Sequence, residues 1–273
     1  MFPKYELRSS SISILNINPF GDCPARFHKQ VEIGFVTEGE LKLSVEDKTY
    51  RLKKNDLYIA FPNLVHATYR SSGKGVVLIA DSSLFPSFHQ KLTRLQPSEP
   101  ILRSSSLPPI LPNLFLRLSE LSREEETAPY QPLFTGYINA VLGEIFLKLE
   151  CRERSSDSNL LQNLMTYLLN SYTNDITLEH LAKELNYSKW YLSKVIANTF
   201  HCNFRSLINS YRIGMAQNLL LSSQMTVSEI AFECGFKNQS SFNRIFLEAT
   251  KQTPTEFRKL GGSPVEKPEV FYR

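Results

Sequence analysis

Two stretches of this chain, TLEHLAKELNY at 177–187 and TVSEIAFECGF at 226–236, align residue for residue. Leu178, Leu181, Ala182 and Leu185 of the first match Val227, Ile230, Ala231 and Cys234 of the second, each set an i, i+3, i+4, i+7 helix face. Asn186 matches Gly235, and these two residue types accept left-handed backbone at low cost. After that turn the offset grows from 49 to 50, and Leu192, Lys194, Val195 and Ile196 match Phe242, Arg244, Ile245 and Phe246. An amphipathic helix, a tight turn and a second short helix make a helix-turn-helix unit. The chain carries the unit twice, with FRSLINSYRIGMAQNLLLSS between as one long helix. The small Ala182 and Ala231 suit the place where the two helices of each unit must approach closely.

What each second helix leaves uncovered points to a ligand. In SKWYLSKVIANTF, stepping at about 100° per residue puts Leu192, Val195 and Ile196 on one side, with Trp190, Ser193, Lys194 and Ala197 opposite. In QSSFNRIFLEAT, Phe242, Ile245, Phe246 and Ala249 form the inner side. Ser240, Asn243 and Arg244 face outward, with Gln239 at the N-terminal lip. Arg bridges guanine O6 and N7, Asn or Gln reads adenine, Lys takes phosphate or guanine, and an apolar surface meets a thymine methyl. Any surface helix turns polar residues outward, so one unit alone would decide little; the duplication makes double-stranded DNA the expected partner. Bulk charge adds nothing to this. The formal net charge is +4, and residues 155–273 carry 12 Lys and Arg against 10 Asp and Glu, so affinity must come from locally placed cations.

Residues 176–258, above all TVSEIAFECGFKNQSSFNRIF followed by TPTEFR, resemble the DNA-binding domain of AraC/XylS-type transcription regulators. The resemblance implies two helix-turn-helix units entering adjacent major grooves on one face of a promoter. Base contacts then fall to Trp190, Ser193, Lys194, Gln239, Ser240, Asn243 and Arg244, and phosphate contacts to Lys189, Lys237, Arg212 and helix N-termini. It also implies a cytoplasmic activator that works with RNA polymerase. His201 and Lys251 stand where the family often has Gly after each recognition helix. If both keep left-handed backbone, each costs roughly 1 kcal/mol relative to Gly.

The N-terminal region reads differently. SISILNI (11–17), VEIGFV (31–36), LKLSV (41–45), TYRL (49–52), DLYIAF (56–61), HATY (66–69) and VVLIA (76–80) are short strands separated by turn residues, which predicts a sandwich or small barrel. Residues 97–112 hold five prolines and the Ser104–Ser106 cluster, and read as a linker or irregular crossing. Two helical patterns follow. In the second, Phe134, Ile138, Val141, Leu142, Ile145, Phe146 and Leu149 form a stripe suited either to packing on the barrel or to a homodimer interface.

The stretch 28–66 resembles the cupin-like sensor domain found before this DNA-binding domain, through Glu32 seven residues before Gly39, the Asn55-Asp56 turn and PNLVH ending at His66. Mapping the metal-binding cupin pattern gives Arg26, His28, Glu32 and His66, so one ligand position is a cation. A His/Glu/His triad could hold zinc or iron, but the fixed charge of Arg26 favours a small-molecule effector pocket, sugar-type or other, and no metal or cofactor is assigned. Phe27, Phe35, Tyr58 and Phe61 are candidate walls, and Arg26, His28, Glu32, Tyr58 and His66 the candidate effector contacts.

The expected fold class is α+β with two domains: a cupin-like β-barrel with flanking helices over 1–100, a helical linker or dimerisation region over 101–157, an all-α double helix-turn-helix domain over 158–262, and a tail over 263–273. The four scattered cysteines suggest reduced thiols, no apolar run reaches the roughly 18 residues of a membrane span, and no secretory signal is read at the start. The expected function is effector-modulated promoter binding rather than catalysis. A cupin-type metal-dependent enzyme and a constitutive dimeric DNA-binding protein are the alternatives, separable by ligand-dependent or EDTA-sensitive melting.

Overall fold

The computed structural model describes residues 4–6, 10–46, 48–122, 131–154 and 156–261. The chain divides into two compact units, residues 10–162 forming the body of the first and residues from 163 onward the body of the second. In chain order the strands are β1 (Lys4–Tyr5), β2 (Ile12–Ile17), β3 (Cys23–Phe27), β4 (Val31–Glu38), β5 (Glu40–Val45), β6 (Lys48–Lys53), β7 (Leu57–Ala60), β8 (His66–Tyr69) and β9 (Lys74–Ala80). Helix α1 (Pro86–Arg94), strands β10 (Leu95–Pro97) and β11 (Ile101–Leu102), helices α2 (Leu111–Leu121) and α3 (Gln131–Phe146), and strand β12 (Cys151–Glu153) follow. Two five-stranded sheets result, ordered β1-β3-β8-β5-β6 and β11-β7-β4-β9-β2, so the cupin-like unit is a pair of sheets and not one continuous closed ladder.

Strand β4 shows why this sequence makes two cores. Side chains alternate across a strand, and Val31, Ile33 and Phe35 join Phe115 of α2 and Ile138, Val141 and Ile145 of α3 in one buried cluster. Val36 belongs to a second cluster with Leu43, Leu52, Tyr58 and Val77. On the Val36 face of β4 stands Gly34, where an added Cβ would lie 1.9 Å from the Tyr58 ring. Only glycine lets that ring cross the strand. Positive φ at Gly39, Glu46, Asn55 and Asn63 marks turns where the sequence placed them.

Several expectations are corrected or narrowed. Phe35 and Phe61 pack in the helix-facing cluster, Phe35 stacked 5.1 Å from Phe115, so neither is a wall beside Glu32. Of the two uses expected for the apolar stripe at 134–149, packing within the unit is the one found, since it joins that cluster. Of the two readings of residues 97–112, the irregular crossing is the one found, with Ile101 and Leu102 paired with Tyr58 and Leu57. Residues 152–154 belong to the first unit. β12 pairs with β10, and Arg154 donates to the carbonyls of Leu95 and Leu92 at 3.0 and 3.2 Å. The tail at 263–273, and Arg123 to Glu126 of the first helical pattern, lie outside the described residues.

The described residues from 156 on form helices joined by short turns: α4 (Ser156–Ser171), α5 (Leu178–Glu184), α6 (Lys189–Phe200), α7 (Phe204–Ser222), α8 (Val227–Glu233), α9 (Gln239–Thr250) and α10 (Pro254–Lys259). The sequence duplication reappears atom by atom. Asn186 N–H donates to Lys183 and Tyr187 N–H to Ala182; Gly235 donates to Phe232 and Phe236 to Ala231. These are the two bonds that close a helix through a left-handed residue, and Asn186 and Gly235 have φ of 58° and 81°. Ser188 and Asn238 cap α6 and α9, and His201 and Lys251 end them in left-handed backbone. Helix α7, 19 residues and so about 28 Å long, separates the pairs.

Candidate DNA interface and barrel site

Burial sorts the recognition helices as their periodicity requires. Leu192, Val195 and Ile196 of α6 and Phe242 and Phe246 of α9 are buried. Trp190, Ser193 and Lys194, and Gln239, Ser240, Asn243 and Arg244, are all exposed. Trp190 is 70% exposed, an unusual position for a large aromatic, and Lys194 Nζ sits 5.2 Å from its ring centroid. The same faces continue one turn further through Asn198 and through Leu247 and Glu248, which are also exposed. Neither Asn198 nor Glu248 is among the expected contacts, although the 50-residue offset pairs them. Gln239, Asn243, Arg244 and Leu247 line a concavity of about 380 Å³ with Val227, Thr253, Pro254 and Thr255.

The expected phosphate contacts are placed unequally. Lys189 is ion-paired with Glu179, and Lys237 Nζ lies 2.7 Å from Asp175 Oδ2, with both pairs in solvent. Arg244 has Glu248 one turn on, at 3.9 Å. Arg212 is half-buried. Its Nε and Nη2 donate to the carbonyls of Tyr172 and Asn174, and its guanidinium lies over the Phe236 ring. Burial lowers its pKa from the ordinary value, with Asp175 opposing. Arg212 therefore braces the turn before α5 and is set aside as a phosphate contact.

In the first unit, Glu32 is fully buried and sits at the centre of the expected effector residues. Arg26 Nη2 donates to Oε1 at 3.0 Å, and the Tyr58 hydroxyl donates to the same oxygen at 2.6 Å. His28 Nε2 and His66 Nε2 approach Oε2 at 3.1 and 3.3 Å, while their Nδ1 atoms face the carbonyls of Gln30 and Leu64. Burial alone would raise the Glu32 carboxyl, but the charges of His66 and Arg26 and the bonds from both histidines hold it well below the usual carboxylate range. Burial and the Glu32 charge push the Tyr58 phenol well above its ordinary value. Ligand atoms of His28, Glu32 and His66 lie within 4.8 Å of one another. A resident metal does not fit this donor set, because Tyr58 and Arg26 already hold Oε1 and the guanidinium would oppose the ion's charge.

A cupin-like sheet unit joined to a double helix-turn-helix unit defines a class, the two-unit DNA-binding transcription regulators. The helix-turn-helix domain family matches residues 181–260 and the cupin domain family residues 13–80. Probable transcription factor PqrA of Proteus vulgaris is 30% identical over 89 residues, 33% of this chain and 73% of that one. The Msm operon regulatory protein of Streptococcus mutans is 23% identical over 245 residues, 83% of each chain. The regulator YijO of Escherichia coli is 33% identical over 98 residues, but this chain spans only 35% of its length. Among solved structures, Vibrio cholerae ToxT with an unsaturated fatty acid bound superposes with a TM-score of 0.60 at 16% identity, covering 93% of this chain and 97% of that one, a likeness of fold. The chain belongs to the AraC/XylS family of transcription regulators. Its relatives are named as transcription regulators. Among the described residues no helix is long and apolar enough to cross a membrane.

Proposed function

We propose that this regulator binds promoter DNA sequence-specifically through α6 and α9, and that a small molecule held in the cupin-like unit modulates the binding. Trp190, Ser193 and Lys194 read one major groove; Gln239, Ser240, Asn243 and Arg244 read the next; Lys189 and Lys237 contact phosphates. The observation that carries this reading is the pair of capped helices, each exposing base-reading side chains over a buried apolar face. The effector, a sugar or related metabolite, engages Arg26, His28, Glu32, Tyr58 and His66. Their donors, held by Glu32 in this structure, are of the charged and hydroxyl kinds that a polyol or a carboxylate engages by exchange, and the ToxT structure with a fatty acid supports a small-molecule role for the fold. The protein acts in the cytoplasm with RNA polymerase, as an activator and as a homodimer.

The test is selection of a duplex from a random library by the full chain. Arg244→Ala should then lose about 1–3 kcal/mol on the selected duplex and relax preference at one base pair. Equal weakening on random duplex would reduce Arg244 to a phosphate contact. Melting the chain against a panel of sugars and carboxylates should show a stabilising ligand, and a panel without effect removes the effector arm.

A further inference from the structure

The two lysines at the lips of the recognition helices do not face solvent as bare cations. Lys189 is paired with Glu179 from the first turn of α5, and Lys237 with Asp175 from the turn just before α5. The second pair is held in place by built structure. Arg212 fixes the carbonyls of Tyr172 and Asn174 on either side of Thr173. Gly235, two residues before Lys237, approaches Thr173 so closely that a Cβ would lie 2.4 Å from its carbonyl oxygen. The backbone that carries Asp175 is thus clamped against the backbone that carries Lys237, 62 residues away in sequence. Both carboxyls are lowered from their ordinary range, first by the hydrogen bond from the partner lysine, and so carry their charge at neutral pH.

We propose that Asp175 and Glu179 are resident counterions that set the affinity and salt dependence of DNA binding, a role that rests on the DNA-binding reading above. A free lysine that meets a phosphate displaces a condensed cation from the duplex, and log K falls with log salt by about 0.9 per such contact. A lysine that must leave a carboxylate does not gain this. The bared carboxylate takes up a cation as the phosphate loses one, and net ion release is near zero. The DNA-binding half, with 12 cationic against 10 acidic residues, is arranged for this economy of charge. Binding is kept modest and its response to ionic strength shallow.

The experiment measures full-chain affinity for a random-sequence 40-bp duplex and for the library-selected duplex across a salt series. Asp175→Asn and Glu179→Gln should each steepen the slope by about 0.9 and tighten both duplexes about fivefold near 0.15 M salt. Both residues are exposed, so folding should survive, and circular dichroism checks it. In a Lys237→Met background, Asp175→Asn should change nothing. Unchanged slopes, an effect on the selected duplex alone, or a persisting effect without Lys237 each overturn the proposal while leaving the DNA reading intact. A wild-type chain that binds neither duplex takes both down.

Discussion

At the scale of single residues, Glu32 shows how much a side chain's position in a pattern can reveal. His28, Glu32 and His66 are legible because they fall at cupin spacing, and Arg26 because a cation stands where a ligand would. Tyr58 is legible as a member of the site, but its bond to Glu32 is not. An aromatic on a strand reads as a wall, and only the approach of its ring over Gly34 brings the hydroxyl to Glu32 Oε1. The carboxylate's worth can be measured. Its folded pKa lies below the ordinary 4.5, so its contribution to stability is present above that value and is lost as pH falls through the folded value. Glu32→Gln should cost about 3–5 kcal/mol at pH 7, since Arg26 and the histidines lose a buried partner. In denaturant titrations the gap between wild type and variant should shrink once the pH drops well below the ordinary carboxylate range. A gap that stays constant from pH 7 to pH 3 would show that Glu32 matters for packing and not for charge.

At the scale of elements, the helices of the second unit and seven strands of the first, β2 and β4 to β9, were readable, and the short strands of the first unit were not. The duplicated pattern states both the buried face and the left-handed turn of each unit, so Asn186 and Gly235 could be matched before any coordinate was known. Strand β3, by contrast, reads CPARF, with a proline and no alternation, and exists because Arg26 and Cys23 pair with His66 and Thr68 of β8. β10, β11 and β12 are two or three residues long, and their partners, not their own sequence, define them. The departures at the ends of the recognition helices also resolve. His201 and Lys251 have φ of 50° and 64°, so the backbone kept the turn and the side chains bear the strain. His201→Gly and Lys251→Gly should each relieve up to about 1 kcal/mol, less what glycine adds to the freedom of the unfolded chain. Neither residue is among the assigned base or phosphate contacts, so thermal melting should rise for each while affinity for the selected duplex holds. A lower melting temperature for both would mean that the side chains make contacts worth more than the strain.

For the molecule as a whole, the organisation of the cores decides what can be separated. The first unit has its own clusters, centred on β4 with α2 and α3 and on Tyr58 with Leu43 and Leu52. The second helix-turn-helix has its own, joining Ile213, Ala216 and Leu220 of α7 to Ile230, Phe242, Phe246 and Phe257. The division between units falls inside α4, whose Leu164, Met165 and Leu168 are buried, so a cut that splits α4 would expose apolar surface. A fragment starting at Ser156 keeps that helix whole. An effector can shift DNA binding only by its unequal affinity for two states of the full chain, and the fragment has no residue of the Glu32 cluster with which to sense it. It should fold cooperatively, select the same duplex as the full chain, and bind it with an affinity that no sugar or carboxylate alters. A fragment that folds yet selects a different sequence would place part of the DNA reading in the first unit. A fragment that still responds to the ligand would move the effector site out of the cupin-like unit altogether.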